Sequence, residues 1–417
     1  MDIAVIGTGI AGLTAAYLLN KQHSITVFER DSRIGGHTAT KDVKDGDSVI
    51  KVDTGFIVYN DWTYPNFIRL MEELGVTTKP TEMSFSVSCQ RTGLEYGGNN
   101  LNSLFAQRKN IFNLPFLGML KDIMAFNKAA IQDLDSGVLD PAITLGTYLK
   151  QKGYGELFAS HYLIPMGSAI WSSTLEEMLD FPLVFFVRFF KNHGLLSVNN
   201  RPQWHVIEGG SAAYLNPLSL SFQPNIKLNT QITRVERQPG QVTLHFENQE
   251  PRVFDHVVFA CHSDQALALL GDDATDKEKE ILGAIPYRSN EVVLHTDTSL
   301  MPKAKLAWSS WNYHLGKDTS KPATLSYNMN ILQGFDITEK TYVVTLNNTD
   351  DIDPKSIIGT YHYDHPTFTL EGINAQERWA EINHENTWFC GAYWRNGFHE
   401  DGCWSGVRVA KALGVDW

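Results

Sequence analysis

The chain has 417 residues, 43% of them hydrophobic and 20% charged, the composition of a globular protein with room for about two or three domains. Its formal net charge of −12 argues against a nucleic-acid partner, since phosphate binding needs a basic face. No apolar run reaches the roughly 20 residues of a membrane span, and four scattered cysteines (Cys89, Cys261, Cys390, Cys403) without CxxC spacing predict reduced thiols rather than a disulfide framework.

The first predicted element is a strand at 3–6, which Met1-Asp2 enters directly, leaving no room for a signal peptide; the expected location is cytoplasmic. The turn Gly7-Thr8-Gly9-Ile10-Ala11-Gly12 follows, then a helix over 13–19 in which Ala15 and Ala16 can pack closely on a sheet. A second strand at 25–28 ends in the acid Glu29. In such a unit the glycines allow a tight turn and close backbone approach. The helix N-terminus faces a pyrophosphate, and the acid accepts hydrogen bonds from a ribose. The unit predicts dinucleotide binding.

Immediately after the acid, Arg30-Asp31-Ser32-Arg33-Ile34-Gly35-Gly36-His37 adds a double glycine and two arginines. A nicotinamide enzyme has no general need for a second glycine-rich turn there. FAD is longer and demands further close approach of backbone, so FAD is the predicted cofactor.

Along the rest of the chain the predicted domains interleave. Residues 1–60, 204–286 and 387–417 are assigned to a discontinuous FAD-binding domain, and residues 61–203 and 287–386 to a substrate domain, first a helical part and then a sheet part. The helices expected in 61–203 lie at 64–74, 116–134, 145–152 and 174–190. Gly209-Gly210-Ser211 precedes a further helix, and strands follow at 226–228, 232–235, 242–246 and 256–260, divided by Pro239-Gly240 and polar turns. Strands at 291–296, 323–328, 341–346 and 358–363 make up the later substrate segment. The closing segment reads as a strand through Phe389-Cys390-Gly391, a turn around Gly402–Gly406, and a last helix. The fold class is α/β: a Rossmann-type domain beside an α+β substrate domain.

Three motifs in order carry a family resemblance: Gly7–Gly12 with Glu29 and Arg33-Ile34-Gly35-Gly36; Val52-Asp53-Thr54-Gly55-Phe56; and Phe389–Tyr393 with His399–Gly406. Together they resemble the amine-oxidase-like flavoproteins, which include monoamine and polyamine oxidases, protoporphyrinogen oxidases and phytoene-type desaturases. Residues 165–171, 192–196, 209–211 and 397–402 are similar, more closely, to a bacterial group described only as NAD/FAD-binding proteins. The resemblance implies that Thr54, Gly55 and Phe56 come near the flavin ring, that the backbone at Val235 contacts the adenine end, and that Gly391, Asp401, Gly402 and Ser405 return to the cofactor. His37 stands where many relatives have arginine and is expected at the pyrophosphate or ribityl chain.

Flavin oxidation asks the protein to hold a carbon close to N5, exclude water and stabilise charge near N1 and O2 of the reduced ring. The turn at Gly402–Gly406, before the last helix, is the expected source of that stabilisation. Amine oxidases of the family commonly place a lysine near N5, but the matching stretch 289–295 has none, and Lys303 and Lys305 read as surface-loop residues. Tyr393 and Trp394, directly after Gly391, either wall the ring or pack as core. His399 either binds a flavin oxygen, donates a proton or caps its turn; His399, Tyr393 and Trp394 are the catalytic candidates. His362 and His365 lack a third ligand and read as a turn ending at Pro366, so no metal site is expected. The aromatic run 181–190 reads either as a channel lining for an acyl or isoprenoid chain or as a buried helix with Arg188 at its polar edge, and peripheral membrane contact stays open.

The expected function is FAD-dependent removal of hydride from an apolar small-molecule or lipid substrate such as an unsaturated fatty-acyl chain. A flavin amine oxidase and a flavin-binding protein without turnover are the alternatives.

Overall fold

The apolar, β-branched run Asp2–Ile6 is buried on both sides by parallel partners, as strands of its composition require. In the computed structural model, which describes residues 1–171, 173–197, 199–317, 324–335 and 338–417, it sits at the centre of a five-stranded sheet. The order is Ile226–Lys227, Ser24–Phe28, Asp2–Ile6, His256–Phe259, Thr387–Phe389, so three distant stretches of chain build one sheet. The helix Ile10–Leu19, buried everywhere but at Tyr17, begins three residues before its predicted start. It packs against the last helix, His399–Ala412, through small residues. A Cβ on Gly402 would lie 2.6 Å from Ile10 Cγ2, and one on Gly406 2.5 Å from the Ala11 carbonyl oxygen. A three-stranded meander, Ile232–Gln238, Gln241–Phe246 and Arg252–Phe254, turns at Gly240.

The later substrate strands join a seven-stranded sheet in the order Ile357–Pro366, Tyr287–His295, Val343–Leu346, Thr324–Asn328, Trp311–Leu315, Phe85–Cys89, Glu95–Gly97. Two of these, with Thr78–Thr81 in a separate small sheet, lie in the stretch expected to be helical. In Phe85–Cys89 the serines hid the strand: Ser86 Oγ donates to Asn312 Oδ1, and Ser88 pairs with His314, on the neighbouring strand. Polar alternation is thus satisfied inside the sheet instead of facing water. The predicted strand at 323–328 is seen over Thr324–Asn328, Ala323 lying outside the described residues.

Two further expectations are corrected. The single helix at 174–190 is two, Leu175–Leu179 and Leu183–Asn192, because Pro182 cannot continue the first. The turn expected at His362–Pro366 is the end of the ten-residue strand Ile357–Pro366, which pairs with Tyr287–His295 along its length. The aromatic run faces inward. Phe181, Phe186, Phe189 and Phe190 surround Trp171, with the Trp171–Phe181 rings stacked at 4.6 Å, and Arg188 is exposed. Among the described residues no helix is long and apolar enough to cross a membrane.

Candidate cofactor and active site

The carboxyl ends of the parallel strands are where an open α/β sheet binds ligands, and the first predicted site residues gather there. Gly7 has φ +108°, and a Cβ on it would lie 2.8 Å from the Ala260 carbonyl oxygen; one on Gly12 would lie 2.1 Å from the Gly7 carbonyl oxygen. Those two glycines are demanded by the fold itself. Gly9 is different: a Cβ there meets nothing within 4 Å, and the helix it precedes has no side-chain cap. Open space thus faces the uncapped N–H groups at Ile10 and Ala11, an anion site by geometry and dipole. Glu29 is fixed at the end of its strand: the Thr8 N–H and hydroxyl donate to Oε2, and the Asp31 N–H donates to Oε1.

The second glycine turn is layered on the first, a Cβ on Gly36 falling 3.2 Å from Gly9 Cα. Arg33 braces this turn. Its guanidinium donates to the carbonyls of Ile34, Gly36 and Thr38, so its donors point at backbone. Arg30 is exposed beside Asp31. Gly55 crosses directly over His37, whose carbonyl oxygen would sit 2.0 Å from a Cβ on Gly55 and accepts the Phe56 N–H at 2.9 Å. Thr54 shares a 2.9 Å hydrogen bond with the Tyr363 hydroxyl. Val235 is fully buried in the meander.

At the other end of the site the last helix begins at His399, not after Gly406. Asp401 Oδ2 accepts the Phe398 N–H at 2.9 Å and closes the first turn, and burial pushes its carboxyl up to about 7. Gly402 and Gly406 are therefore helical residues made small by the contact with the first helix, and the expected turn between them is absent. The helix N-terminus thus lies at His399, three residues before Gly402, with Glu400 and Asp401 in its first turn. Ser405 Oγ accepts the Gly391 N–H at 2.7 Å. Tyr393 and Trp394 are buried, their rings 5.2 Å apart. His399 stacks on Phe56 and shares a 2.7 Å hydrogen bond with the Tyr214 hydroxyl; burial drives its imidazole well below the usual range. It is neutral at pH 7.

Two features escaped the sequence reading. Asp53 lies inside a quoted motif, yet its role is a buried lock: it accepts the Ser211 N–H and hydroxyl, the Thr40 hydroxyl and Gln333 Nε2, and burial raises it to about 6. The second is a histidine cluster. The His37 ring lies 5.9 Å from His262, 5.6 Å from His365 and 5.3 Å from Tyr363, while His262 stacks on Tyr287 at 4.4 Å. Burial, reinforced by the neighbouring imidazoles, lowers His37 and His262 to about 4 and His365 to about 3. His365 Nδ1 also meets Asn290 Nδ2 at 3.2 Å. The signal available in sequence was only that His37, His262 and His365 each end a strand or turn. Among the described residues no group of His, Cys, Asp and Glu is arranged to hold a metal.

These residues fit FAD. The open cradle over Gly9 and the uncapped helix suit a pyrophosphate, and Glu29 is oriented for a ribose. His37 Nε2 is a buried polar atom with no partner in the protein.

Residues 10–354 match the family described as flavin containing amine oxidoreductase. A 77-residue stretch is 36% identical to a 15-cis-phytoene desaturase of Synechococcus elongatus, covering 18% of this chain and 15% of that protein. Among solved structures, cyclohexylamine oxidase from Brevibacterium oxydans superimposes with a TM-score of 0.71 at 16% identity, covering 99% of this chain and 98% of that one. A fatty acid isomerase from P. acnes does so with a TM-score of 0.69 at 16% identity and the same coverage. These two likenesses establish the fold. The chain spans between 15% and 53% of the length of the first curated relatives it matches, and it belongs to the flavin-containing amine oxidoreductase family.

Proposed function

We propose that this oxidoreductase removes hydride from an apolar, lipid-like substrate. The observation that carries the reading is the neutral state of the three imidazoles beside the cradle. His37, His262 and His365 are neutral at pH 7, and the strand Tyr287–His295 that borders them holds no lysine. The three imidazoles themselves offer a substrate no charge, the charged groups acting on them being Asp364, Arg30 and Arg33, and a hydrocarbon loses little on leaving water for such neutral rings.

When bound, FAD supplies the electron sink for hydride from a substrate C–H. The chain supplies the rest. The N–H groups at Ile10 and Ala11 hold the pyrophosphate, and Glu29 fixes the ribose. Tyr393, Tyr287 and Tyr363 exclude water from the region around His37 and His262. The N-terminus of the last helix offers positive potential where negative charge grows.

The test is anaerobic mixing of the yellow holoprotein with unsaturated fatty acids, isoprenoid hydrocarbons, and primary and secondary amines, followed at the flavin band. Bleaching by the lipids alone supports the reading. Bleaching by an amine alone replaces it with amine oxidation. A flavin reduced by dithionite but by none of these compounds points to a binding protein without turnover.

A further inference from the structure

The stretch from Tyr96 to Lys121 contains Arg108, Lys109 and Lys121 and no acidic residue, in a chain whose net charge is −12. The same stretch carries the most exposed large apolar side chains of the described residues: Phe112 at 86%, Leu114 at 78% and Leu101 at 74% of full exposure. Isolated exposed apolar residues need no explanation, but three within fourteen positions, interleaved with unpaired bases, do.

The tip is built, not frayed. Asn110 is buried and donates to Gln107 Oε1, and Asn113 Nδ2 donates to Asn110 Oδ1 while its own Oδ1 caps the helix Leu114–Asp135. Gln107 in turn accepts the Glu95 N–H and donates to the Gly93 carbonyl. Arg108 grips the carbonyls of Asn102 and Phe105, tying the Leu101–Leu104 helix to the same platform. Phe116 and Met119 anchor the far side of the long helix in the core. Phe112 and Leu114 are thus held out on a rigid mount. Lys121 and Lys128, one and two heptads from Leu114, continue its face along the helix, and both are exposed. Asp122, the first acid after the stretch, turns its carboxylate to the Gly155 N–H. Among the described residues, none of Arg108, Lys109, Lys121 and Lys128 has a carboxylate within ion-pair distance.

We propose that this tip docks the enzyme on an anionic lipid surface, with Phe112, Leu114 and Leu101 entering the headgroup–acyl boundary and the four bases facing lipid phosphates. Charge selects the occupant. A protein that is acidic overall is repelled by an anionic bilayer unless it presents a basic face, and this stretch is the acid-free one that also carries the three most exposed apolar side chains of the described residues. Protruding single side chains suit insertion between lipids, as in interfacial segments that combine aromatic and aliphatic anchors with Lys and Arg. The inward-facing run 181–190 does not contribute. The proposal is independent of the substrate reading above.

The experiment is co-sedimentation of the full-length holoprotein with vesicles of phosphatidylcholine alone or mixed with phosphatidylglycerol, at low and high salt. Wild type is expected to bind the mixed vesicles in preference, each base contributing roughly fivefold, and to lose binding as salt rises. F112S/L114S is expected to weaken partitioning at least about tenfold with flavin content retained, and R108E/K109E to abolish the lipid preference. V253S, at an exposed apolar site elsewhere, is expected to change nothing. Equal sedimentation with both vesicle types, or undiminished binding by F112S/L114S, overturns the proposal. So does a concentration-dependent dimer that F112S/L114S dissolves in the absence of lipid.

Discussion

The imidazole of His399 lies flat on the ring of Phe56, their centroids 3.6 Å apart and their planes 6° from parallel. The contact joins the N-terminus of the last helix to the segment that follows the hairpin Thr40–Asp45 and Ser48–Asp53, and Tyr214 bonds the same imidazole from a third stretch. H399A removes both stack and hydrogen bond and is expected to cost about 2–4 kcal/mol, with loss of bound flavin. H399F keeps the stack, and Tyr214 still has Thr38 as partner, so about 1–2 kcal/mol is expected. Urea denaturation of the two variants checks this; equal losses would show that the hydrogen bond, not the stack, holds the segments together.

Acid should destabilise the fold across the range in which unfolded histidines take up protons. His37, His193, His262 and His295 are lowered to about 4 and His365 to about 3, and His399 lies well below the usual imidazole range, all chiefly by burial. The unfolded chain binds protons at these six sites near pH 6.5 while the folded chain refuses them. Their contribution is complete above pH 6.5 and lost as pH falls towards 4, at ~1.4 kcal/mol per unit of displacement. Asp53 and Asp401, raised to about 6 and 7, act in the opposite sense, since the folded state holds their protons more tightly. Six groups outweigh two. Denaturant midpoints measured from pH 4 to 8 should rise steadily between 4.5 and 6.5 (approximate bounds set by those shifts). A flat profile would show that the imidazoles are charged in the native state.

Gly9 and Gly12 should separate cofactor binding from folding. G9A places a methyl group in open space at an ordinary negative φ, so stability of the flavin-free protein should change by less than about 0.5 kcal/mol. Flavin affinity should fall about tenfold or more, because the methyl occupies the approach to the pyrophosphate. G12A drives a methyl into the Gly7 carbonyl and should yield little folded protein of either form. Thermal melts of the flavin-free protein and titration with FAD distinguish the two.

Asp53 should behave as a structural lock. D53A leaves the Ser211 N–H, both hydroxyls and Gln333 Nε2 without their acceptor and is expected to cost about 2–4 kcal/mol. D53N keeps acceptor capacity on one oxygen and should cost about half as much. Thermal denaturation ranks them; a D53A protein as stable as wild type would remove Asp53 from the framework.

What was legible in the sequence was local. The glycine turn at Gly7–Gly12 and the acid Glu29 carry their chemistry within a few tens of residues, and the parallel sheet follows from uninterrupted apolar strands. What was not legible depends on partners far away. Asp53 meets Ser211 and Gln333 from 158 and 280 residues off, and no spacing announces that. Gly402 and Gly406 read as a turn because glycine disfavours helix, yet here helix contact demands it. Ser86 and Ser88 disguised a buried strand because their hydroxyls bond across it.

The contact between Gly406 and Ala11 ties together two helices that are far apart in sequence. The central sheet also lacks its edge strand until Thr387–Phe389 has emerged. The nucleotide cradle is therefore incomplete until contacts of high sequence separation have formed. Flavin capture, and with it protection from proteolysis, is therefore expected late in folding, so that a copy cut before Thr387 should stay colourless.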